Sequence, residues 1–498
     1  MGTIKRKGSA LHEVAKQAIR QTEQSIPLCV DLDGTLLRTD LLHEQLLRVV
    51  KLYPQRLPEL LGSLFRGKAA FKDHVARLTP VNGALLPFRD EVVTVIEAAR
   101  ARGQKIVLCT ASPLPFAKAV ADHLSLFDSV LSSSATTNLA AHNKADALTE
   151  RFGEGMFDYI GDSSHDLAVF SKCRNGTLVS SQRGLRNRSL AINPNMEFID
   201  APRLLLKDFI RAIRWHQWIK NLLIFVPLVA AHAVGDMERL FSAVIAFVSF
   251  SLCASATYIA NDLLDLDADR AHQNKKNRPF AAGRIPVSFG MAIAAAFLIA
   301  SLLLSLMLSG RFSMALVGYI ACTLTYSFAL KRQVVLDVIF LAGLYTLRII
   351  AGAAATQIMP SFWLLAFSMF IFLSLALVKR VSELRRTMGS RHIIGRGYVQ
   401  SDMNVLLTLG SASGLSSVVI LAFYMQSEIV TLMYPAKGWL WLIPPIMLYW
   451  ITRLWMKTNR DEIDDDPVVF AARDWQSLAA LALIGVLFLL AVIGPVAW

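Results

Sequence analysis

Cysteine is scarce in this chain. There are five in 498 residues: Cys29, Cys109, Cys173, Cys253 and Cys322. The number is odd and no two stand as a C-x-x-C pair, which argues against a disulfide framework and against a zinc site. Charge is scarce as well: 18% of residues are charged and 54% are hydrophobic, too apolar for an ordinary soluble chain. The stretch Met1 to Ser25 is charged and has no apolar run, so no cleavable signal peptide is expected. Acidic residues are the minority sign, 38 against 51 Lys and Arg, a net charge of +13. Basic loops on the cytoplasmic side of a membrane account for that excess, and no nucleic-acid partner is needed to explain it.

The apolarity is uneven. Residues before about 200 read as a soluble domain, and those after about 217 read as membrane spans. Nine spans are expected, near residues 217–234, 240–260, 288–308, 313–330, 334–355, 362–378, 404–424, 438–454 and 476–497. The loops after the second, fourth, sixth and eighth spans hold most of the Lys and Arg, among them Lys275, Lys276, Lys331, Arg332, Arg385, Arg391, Arg396 and Arg460. The opposite loops show only isolated cases such as Arg311 and Lys437. The amino terminus is therefore expected inside and Trp498 outside a bacterial inner membrane.

One stretch stands out where the second span ends: Asn261 to Pro279, NDLLDLDADRAHQNKKNRP. On a helix of about 100° per residue, Asn261, Asp262, Asp265 and Asp269 fall within an arc of roughly 100°. Three carboxylates on one stripe repel one another unless a cation lies between them. Hard carboxylate oxygens suit Mg²⁺, which commonly shares its shell with substrate phosphates. Arg270, His272, Lys275, Lys276 and Arg278 follow as a cationic rim for anions.

The soluble part carries a second set of acidic residues. Three short apolar runs, 26–30, 106–109 and 157–160, read as buried strands. The first delivers Asp31-Leu32-Asp33-Gly34-Thr35, the second Thr110-Ala111-Ser112, and the third Gly161-Asp162-Ser163-Ser164-His165-Asp166. Lys144 lies between the last two runs. Helical patterns separate the strands, as in a parallel α/β sheet whose sites form at strand carboxyl ends. Residues 41–87 read as a small helical cap. The polar, basic stretch from Ser180 to Arg203 reads as the domain's end and a linker. An interfacial helix from Leu204 to Trp215 is expected to set Lys207, Arg211 and Arg214 against lipid head groups.

The ordered set DxDGT, Thr110, Lys144 and GDxxxD resembles the haloacid dehalogenase-like phosphatases. The resemblance implies that Asp31 is a nucleophile forming an aspartyl-phosphate. It implies that Asp33 protonates the leaving oxygen and then activates water. Thr110 and Lys144 would hold the phosphoryl oxygens. Asp31, Asp162, the Asp33 backbone carbonyl and a supporting Asp166 would hold Mg²⁺. Carboxylates and a phosphate repel, so the chemistry itself asks for a cation and a lysine.

The N-D-x-x-D-x-x-x-D pattern, the stretch RWHQWIKN at 214–221 and the expected spans resemble the UbiA superfamily of intramembrane prenyltransferases. That superfamily's second acidic motif is usually D-x-x-x-D. Here Asp337 is followed four residues on by Leu341, so one carboxylate is missing. NDLLDLDADRAHQNKKNRPFAAG, Tyr326 and Lys331 ahead of Asp337, LRIIAG at 347–352, SFW at 361–363 and KRVSEL at 379–384 resemble the decaprenyl-phosphate phosphoribosyltransferase branch. In that branch a polyprenyl phosphate is the nucleophile and phosphoribosyl diphosphate the donor. The resemblance implies that Asp262, Asp265 and Asp269 hold Mg²⁺ against the departing diphosphate. Asn261 would hydrogen-bond the ribose or a metal-bound water. Lys220, Lys276, Arg278, Lys331, Lys379 and Arg380 are candidates for the ribose 5-phosphate and the lipid phosphate, and Tyr326 is a further candidate. Asp337 would orient ribose hydroxyls or complete a metal shell. Arg348 lies on the same helix face, roughly 16 Å further along the axis, and an ionisable residue inside a span is a functional candidate.

These readings imply an α/β domain over residues 1–200, a Rossmann-type parallel sheet with a small helical cap. They imply a linker and interfacial helix over 201–216, and an all-α polytopic membrane domain of about nine helices over 217–498. The leading expectation is a bifunctional Mg²⁺-dependent enzyme. An aromatic prenyltransferase using a polyprenyl diphosphate is the alternative within enzymes, and a lipid-binding scaffold is the alternative outside them. Lipid length and oligomeric state stay open.

Overall fold

The computed structural model describes residues 26–201, 204–386, 397–463 and 466–493. Met1 to Ser25, Arg203, Arg391, Arg396 and Trp498, on which some of the expectations above rest, lie outside the described residues. The chain divides into two compact units. The first comprises Met1–Ile213 together with Ile259–Ile293, and the second comprises Arg214–Tyr258 and Ala294–Trp498.

In the first unit six parallel strands form one sheet: β1 Leu28–Val30, β2 Ile106–Pro113, β3 Ser129–Ser133, β4 Asp158–Gly161, β5 Gly176–Val179 and β6 Met196–Ile199. Their order is β3-β2-β1-β4-β5-β6. Alternation along the strands supplies two cores. Leu28, Val30, Ile106, Leu108 and Ile160 pack on one face. Cys29, Val107, Cys109 and Tyr159 pack on the other. The cysteines of this domain are thus small buried apolar side chains, and all five in the chain are free. The order reverses at β1, which lies between β2 and β4. A crevice at the carboxyl ends is expected at such a switch point.

The segment expected as a cap forms three helices, Leu41–Leu52, Leu57–Leu64 and Lys68–Leu78, and two 3-10 turns, Pro54–Arg56 and Gly83–Leu85. The first starts sharply because Asp40 caps it, accepting from the His43 backbone N–H. The stretch after Ser180, expected as the domain's end and a linker, is more regular than its polar composition suggests. It forms a helix, Arg183–Ile192, and the sixth strand. Its apolar Met196, Phe198 and Ile199 find partners only because β5 offers an edge. Leu206–Ala212 is helical where the interfacial helix was expected.

Six helices among the described residues are long and apolar enough to cross a membrane: Met237–Leu264, Val287–Ser305, Leu336–Thr356, Phe362–Arg386, Gln400–Met425 and Trp475–Ile493. The other three expected spans take different forms. The first is a 3-10 stretch, Trp215–Phe225, followed by a short helix, Val226–Ala230, with Pro227 at the junction. Gly310–Phe328 is a full helix but carries Arg311, Tyr319, Thr323, Thr325 and Tyr326. The segment near 438–454 begins as a 3-10 turn, Lys437–Leu442, and only Ile443–Asn459 is α-helical. Proline lacks the N–H that a continuous helix needs.

Candidate functional sites

The carboxyl ends of β1 and β4 bring the first acidic set together. One ligand oxygen from each of Asp31, Asp162 and Asp166 lies within 4.8 Å of the others. Among the described residues this is the only group of three His, Cys, Asp or Glu that converges so closely. Gly34 permits the approach. Its φ is +80°, and a Cβ there would stand 2.3 Å from Asp162 Oδ2. Lys144, buried at the start of helix His142–Phe152, donates to Asp31 Oδ1 at 2.6 Å and lies 3.5 Å from Asp166 Oδ1. Thr35 Oγ1 donates to Asp162 at 3.2 Å. Asp166 also accepts from the Ser163 N–H and hydroxyl.

Asp33 stands apart from this cluster. It accepts from the backbone N–H of Leu41 at 2.8 Å, from Ser112 Oγ at 2.6 Å, and from Thr110 Oγ1 at 3.5 Å. The cap's first helix therefore fixes this carboxylate through its own N-terminus. Burial, with the charge of Asp40 second, pushes Asp33 up to about 7. Burial also raises Asp31, and the neighbouring Lys144 pulls it back to about 6. Asp162 is raised by burial and by Asp31 and Asp166 beside it. Asp166 goes the other way: burial opposes its charge, but Lys144, Tyr159 and Ser163 outweigh it. Lys144 is raised because Asp31 and Asp166 overcome its burial. The neighbouring carboxyls of Asp31 and Asp33 thus sit in separate hydrogen-bond environments, as a nucleophile and an acid require.

Tyr159 was not legible as a site residue. Its hydroxyl donates to Asp166 at 2.6 Å and accepts from Lys144 at 3.0 Å. It points there because β4 lies next to β1, with Tyr159 opposite Cys29. Lys72, from the cap, donates to the Ala111 carbonyl and to Asn138.

The second acidic set lies in the same unit. Helix Met237–Leu264 breaks at Asp265, which opens the short helix Leu266–Ala271. The i to i−4 bonds continue across the break, from Asp265 N to Asn261 O and from Asp269 N to Asp265 O. The stripe therefore survives. Asp262 and Asp269 are buried, and both accept from the same guanidinium nitrogen of Arg278, at 3.0 and 2.7 Å. Burial raises the Asp269 carboxyl against the pull of Arg278. Asp265 accepts instead from Lys51 at 2.6 Å. Lys276 is exposed in the turn Lys275–Asn277. Two carboxylates close enough to share one nitrogen are also placed to share a divalent cation.

The second unit gathers basic and aromatic side chains. The RWHQWIKN stretch is held at several points: Arg214 lies over the Tyr258 ring, Trp218 donates to Ser255, Lys220 pairs with Asp466, and Asn221 donates to Ser251. Arg348 is enclosed by polar and aromatic partners. It is buried, donates to Asn221 Oδ1 at 2.9 Å and to the Tyr319 hydroxyl at 3.1 Å, and lies over the rings of Tyr319 and Tyr345. Both oxygens of Asp337 are engaged, one by Arg380 Nε and one by the Tyr398 hydroxyl. Arg380 also donates to Tyr326 and Glu383. Lys331 lies in the turn Leu330–Arg332, and Lys379 is half-buried beside Arg380. Asp466, Tyr398 and Tyr319 had no sequence signal, since only helix packing selects them as partners.

Comparison with known proteins finds two matched regions along the chain. The profile of the UbiA prenyltransferase family matches residues 222–478, and that of the haloacid dehalogenase-like hydrolases matches 28–171. An uncharacterized protein of Sinorhizobium fredii, y4nM, is 37% identical over 94% of this chain and 92% of its own length. The nodulation protein NoeC of Azorhizobium caulinodans is 31% identical over 58% of this chain and 95% of its own. A decaprenyl-phosphate phosphoribosyltransferase of Mycolicibacterium smegmatis is 39% identical over 37% of this chain and 59% of its own. This is a membrane protein that belongs to the UbiA prenyltransferase family and carries, ahead of its membrane helices, a region that matches the haloacid dehalogenase-like hydrolases.

Proposed function

We propose that the chain makes a polyprenyl-phospho-ribose in two steps. The membrane domain transfers 5-phosphoribose from phosphoribosyl diphosphate to a polyprenyl phosphate, and the phosphatase domain then removes the 5-phosphate. The observation that carries the first step is the state of Asp337. With Leu341 in place of a second carboxylate, and with both Asp337 oxygens taken by Arg380 and Tyr398, one acidic cluster is left. One cluster suits one departing diphosphate. The likeness to decaprenyl-phosphate phosphoribosyltransferase supports the same donor and acceptor.

In the transfer, an oxygen of the lipid phosphate attacks C1 of the ribose, the bond from C1 to the diphosphate oxygen breaks, and diphosphate leaves. Asp262, Asp265 and Asp269 are the residues that would hold Mg²⁺, which supplies charge neutralisation for the leaving group. Asn261 is assigned to the ribose or a metal-bound water. Lys220, Lys276, Arg278, Lys331, Lys379 and Arg380, with Tyr326, are assigned to the phosphates. Asp337 and Arg348 are assigned to positioning. Attack opposite the α-linked diphosphate gives a β-linked product.

In the hydrolysis, Asp31 attacks phosphorus, the bond from phosphorus to the ribose O5 breaks, and Asp33 gives that oxygen its proton. Asp33 then takes a proton from the water that cleaves the aspartyl-phosphate. Thr110 and Lys144 hold the phosphoryl oxygens. Asp31, Asp162 and Asp166, with the Asp33 carbonyl, are the residues that would hold Mg²⁺, and their convergence fits a hard divalent ion. The basic loops support an inner-membrane location with the phosphatase domain and the acidic stretch on the cytoplasmic side. One chain then keeps the product of the first step near the second site.

Mass spectrometry of the lipid product tests the reading. Wild type is expected to yield the dephosphorylated lipid, and Asp31→Asn to accumulate the 5-phosphorylated form at an unchanged rate of transfer. Identical products from the two proteins reject the coupled pathway. Labelling with a prenyl diphosphate and an aromatic acid, in place of phosphoribosyl diphosphate, would support aromatic prenyl transfer instead.

A further inference from the structure

We infer that the cap helix Leu41–Leu52 also acts beyond the phosphatase site: through Glu44 it positions the acidic segment that the proposed transfer reaction uses. The inference rests on that proposed reaction for its chemistry, but its geometry lies wholly within the first unit.

Glu44 is buried and takes Arg270 bidentately, Oε1 from NH2 at 2.6 Å and Oε2 from NH1 at 2.9 Å. The two side chains are 3% and 6% exposed. A forked pair of this kind fixes direction as well as distance. Arg270 adjoins Asp269 in the chain, and its Nε donates to the Ala281 carbonyl at 3.0 Å. One guanidinium thus ties the helix bearing Asp269 to the loop that follows it. On the other side, Glu44 Oε1 accepts from Thr39 Oγ1 at 2.6 Å. The Thr39 carbonyl accepts from the Gly34 N–H, within the loop that carries Asp31 and Asp33.

Further contacts follow the same helix. Lys51 donates to Asp265 Oδ1 and, at 2.8 Å, to the Leu264 carbonyl, at the break in the acidic helix. Arg48 pairs with Asp267. Gly283, with φ +65°, lies so close that a Cβ would stand 2.6 Å from Arg38 Cβ and 3.0 Å from the Arg38 carbonyl. Exposed pairs contribute little to holding a structure, and Arg48 and Lys51 retain some exposure. The Glu44–Arg270 pair differs, because removing one partner leaves a buried charge uncompensated. Glu44 is therefore a positioning residue. It touches no substrate, and it sets where the Asp265–Asp269 turn stands.

The test uses the full chain in lipid nanodiscs, with Glu44→Gln as the first variant. The amide of that variant keeps an oxygen for Thr39 and loses the charge that meets Arg270. Three readouts are compared with wild type: hydrogen exchange of peptides covering residues 264–284, the Mg²⁺ concentration giving half-maximal phosphoribosyl transfer, and hydrolysis of a small phosphate ester. Exchange is expected to rise and the Mg²⁺ requirement to increase several-fold, because Glu44 acts on the carboxylates through Arg270. Ester hydrolysis is expected to stay near the wild-type rate. Glu44→Asp, which keeps the charge on a shorter stem, is expected to recover most of the loss. If Glu44→Gln does not fold, Glu44→Asp carries the test with a smaller shift in the same direction. Unchanged exchange and Mg²⁺ dependence overturn the inference. So does a parallel fall in ester hydrolysis, which would make the contact a general support. If wild type forms no phosphoribosylated lipid but exchange at 264–284 still rises in the variant, the positioning contact stands and the proposed reaction falls.

Discussion

Asp31 is far in the chain from Asp162 and Asp166 and the three carboxylates converge, whereas Asp262, Asp265 and Asp269 are near neighbours and only Asp262 and Asp269 meet, at one nitrogen of Arg278. The first set hangs on the ends of adjacent strands, where the parallel register of β1 and β4 leaves no freedom to separate them. Burial, reinforced by the neighbouring carboxylates, raises Asp31 and Asp162, and Lys144 pulls the other way. The second set lies on a helix and its broken continuation, and basic side chains of the same unit divide it: Arg278 takes Asp262 and Asp269, and Lys51 takes Asp265. A sheet can force like charges together. A helix stripe instead lets its charges be shared out among counterions, and a divalent cation must compete with those partners.

The largest effect that would break this comparison is at the helix stripe. Asp262→Asn or Asp265→Asn is expected to lower lipid labelling by roughly 100-fold or more, the loss typical of removing a main electrostatic stabiliser. Hydrolysis of a small ester should persist, since those carboxylates take no part in the strand-end cluster. Full transfer in both variants would remove the metal assignment.

The pH profile of ester hydrolysis sharpens the other side. Asp33 is raised to about 7, so its proton is available below that pH and lost above it. The rate is expected to fall about tenfold per unit above that point for a substrate with a poor leaving group. In the proposed mechanism Asp31 attacks as the carboxylate, so the rate should rise through pH values near 6. Added Mg²⁺ should move that rising limb to lower pH, because a nearby positive charge favours the carboxylate. A profile without a limb near 7 would reject Asp33 as the acid.

A smaller effect is expected at Tyr159. Tyr159→Phe removes the hydroxyl between Lys144 and Asp166. Ester hydrolysis should fall about tenfold, with weaker Mg²⁺ dependence, as for a partner that orients a ligand. Unchanged kinetics would show that Lys144 alone aligns Asp166. The smallest effect is expected at Tyr398. Tyr398→Phe leaves Asp337 with Arg380 as its partner, at a cost of about 1–3 kcal/mol in stability. Thermal unfolding in detergent would detect it, while transfer should be largely retained.

Much of this molecule was legible in one dimension. Short apolar runs ending in Asp31, Thr110 and Gly161 marked three strands, since a strand buried on both faces reads as an apolar run. Residue spacing gave the stripe from Asp262 to Asp269, since an i to i−4 ladder is local. The helices between residues 41 and 78 were readable for the same reason. The edge strand Met196–Ile199 was not, because four residues among polar neighbours become a strand only when an edge is waiting. Of the nine expected spans, six are helices of full length and apolarity among the described residues and three are broken or more polar segments, because windowed apolarity cannot see where proline or packing ends a helix.

The partners of the charged residues were decided by tertiary structure alone. Local sequence determined that Asp337, Arg348 and Arg380 would lie on helices in apolar surroundings. It did not determine that Asp337 would be closed by Arg380 and Tyr398, or that Arg348 would meet Asn221 and Tyr319. Nor did it bring Glu44 to Arg270 across the fold. A buried charge must be paired, and the chain states that requirement at every such position. Which distant side chain meets it depends on the packing of strands and helices, and that exists only once the chain has folded.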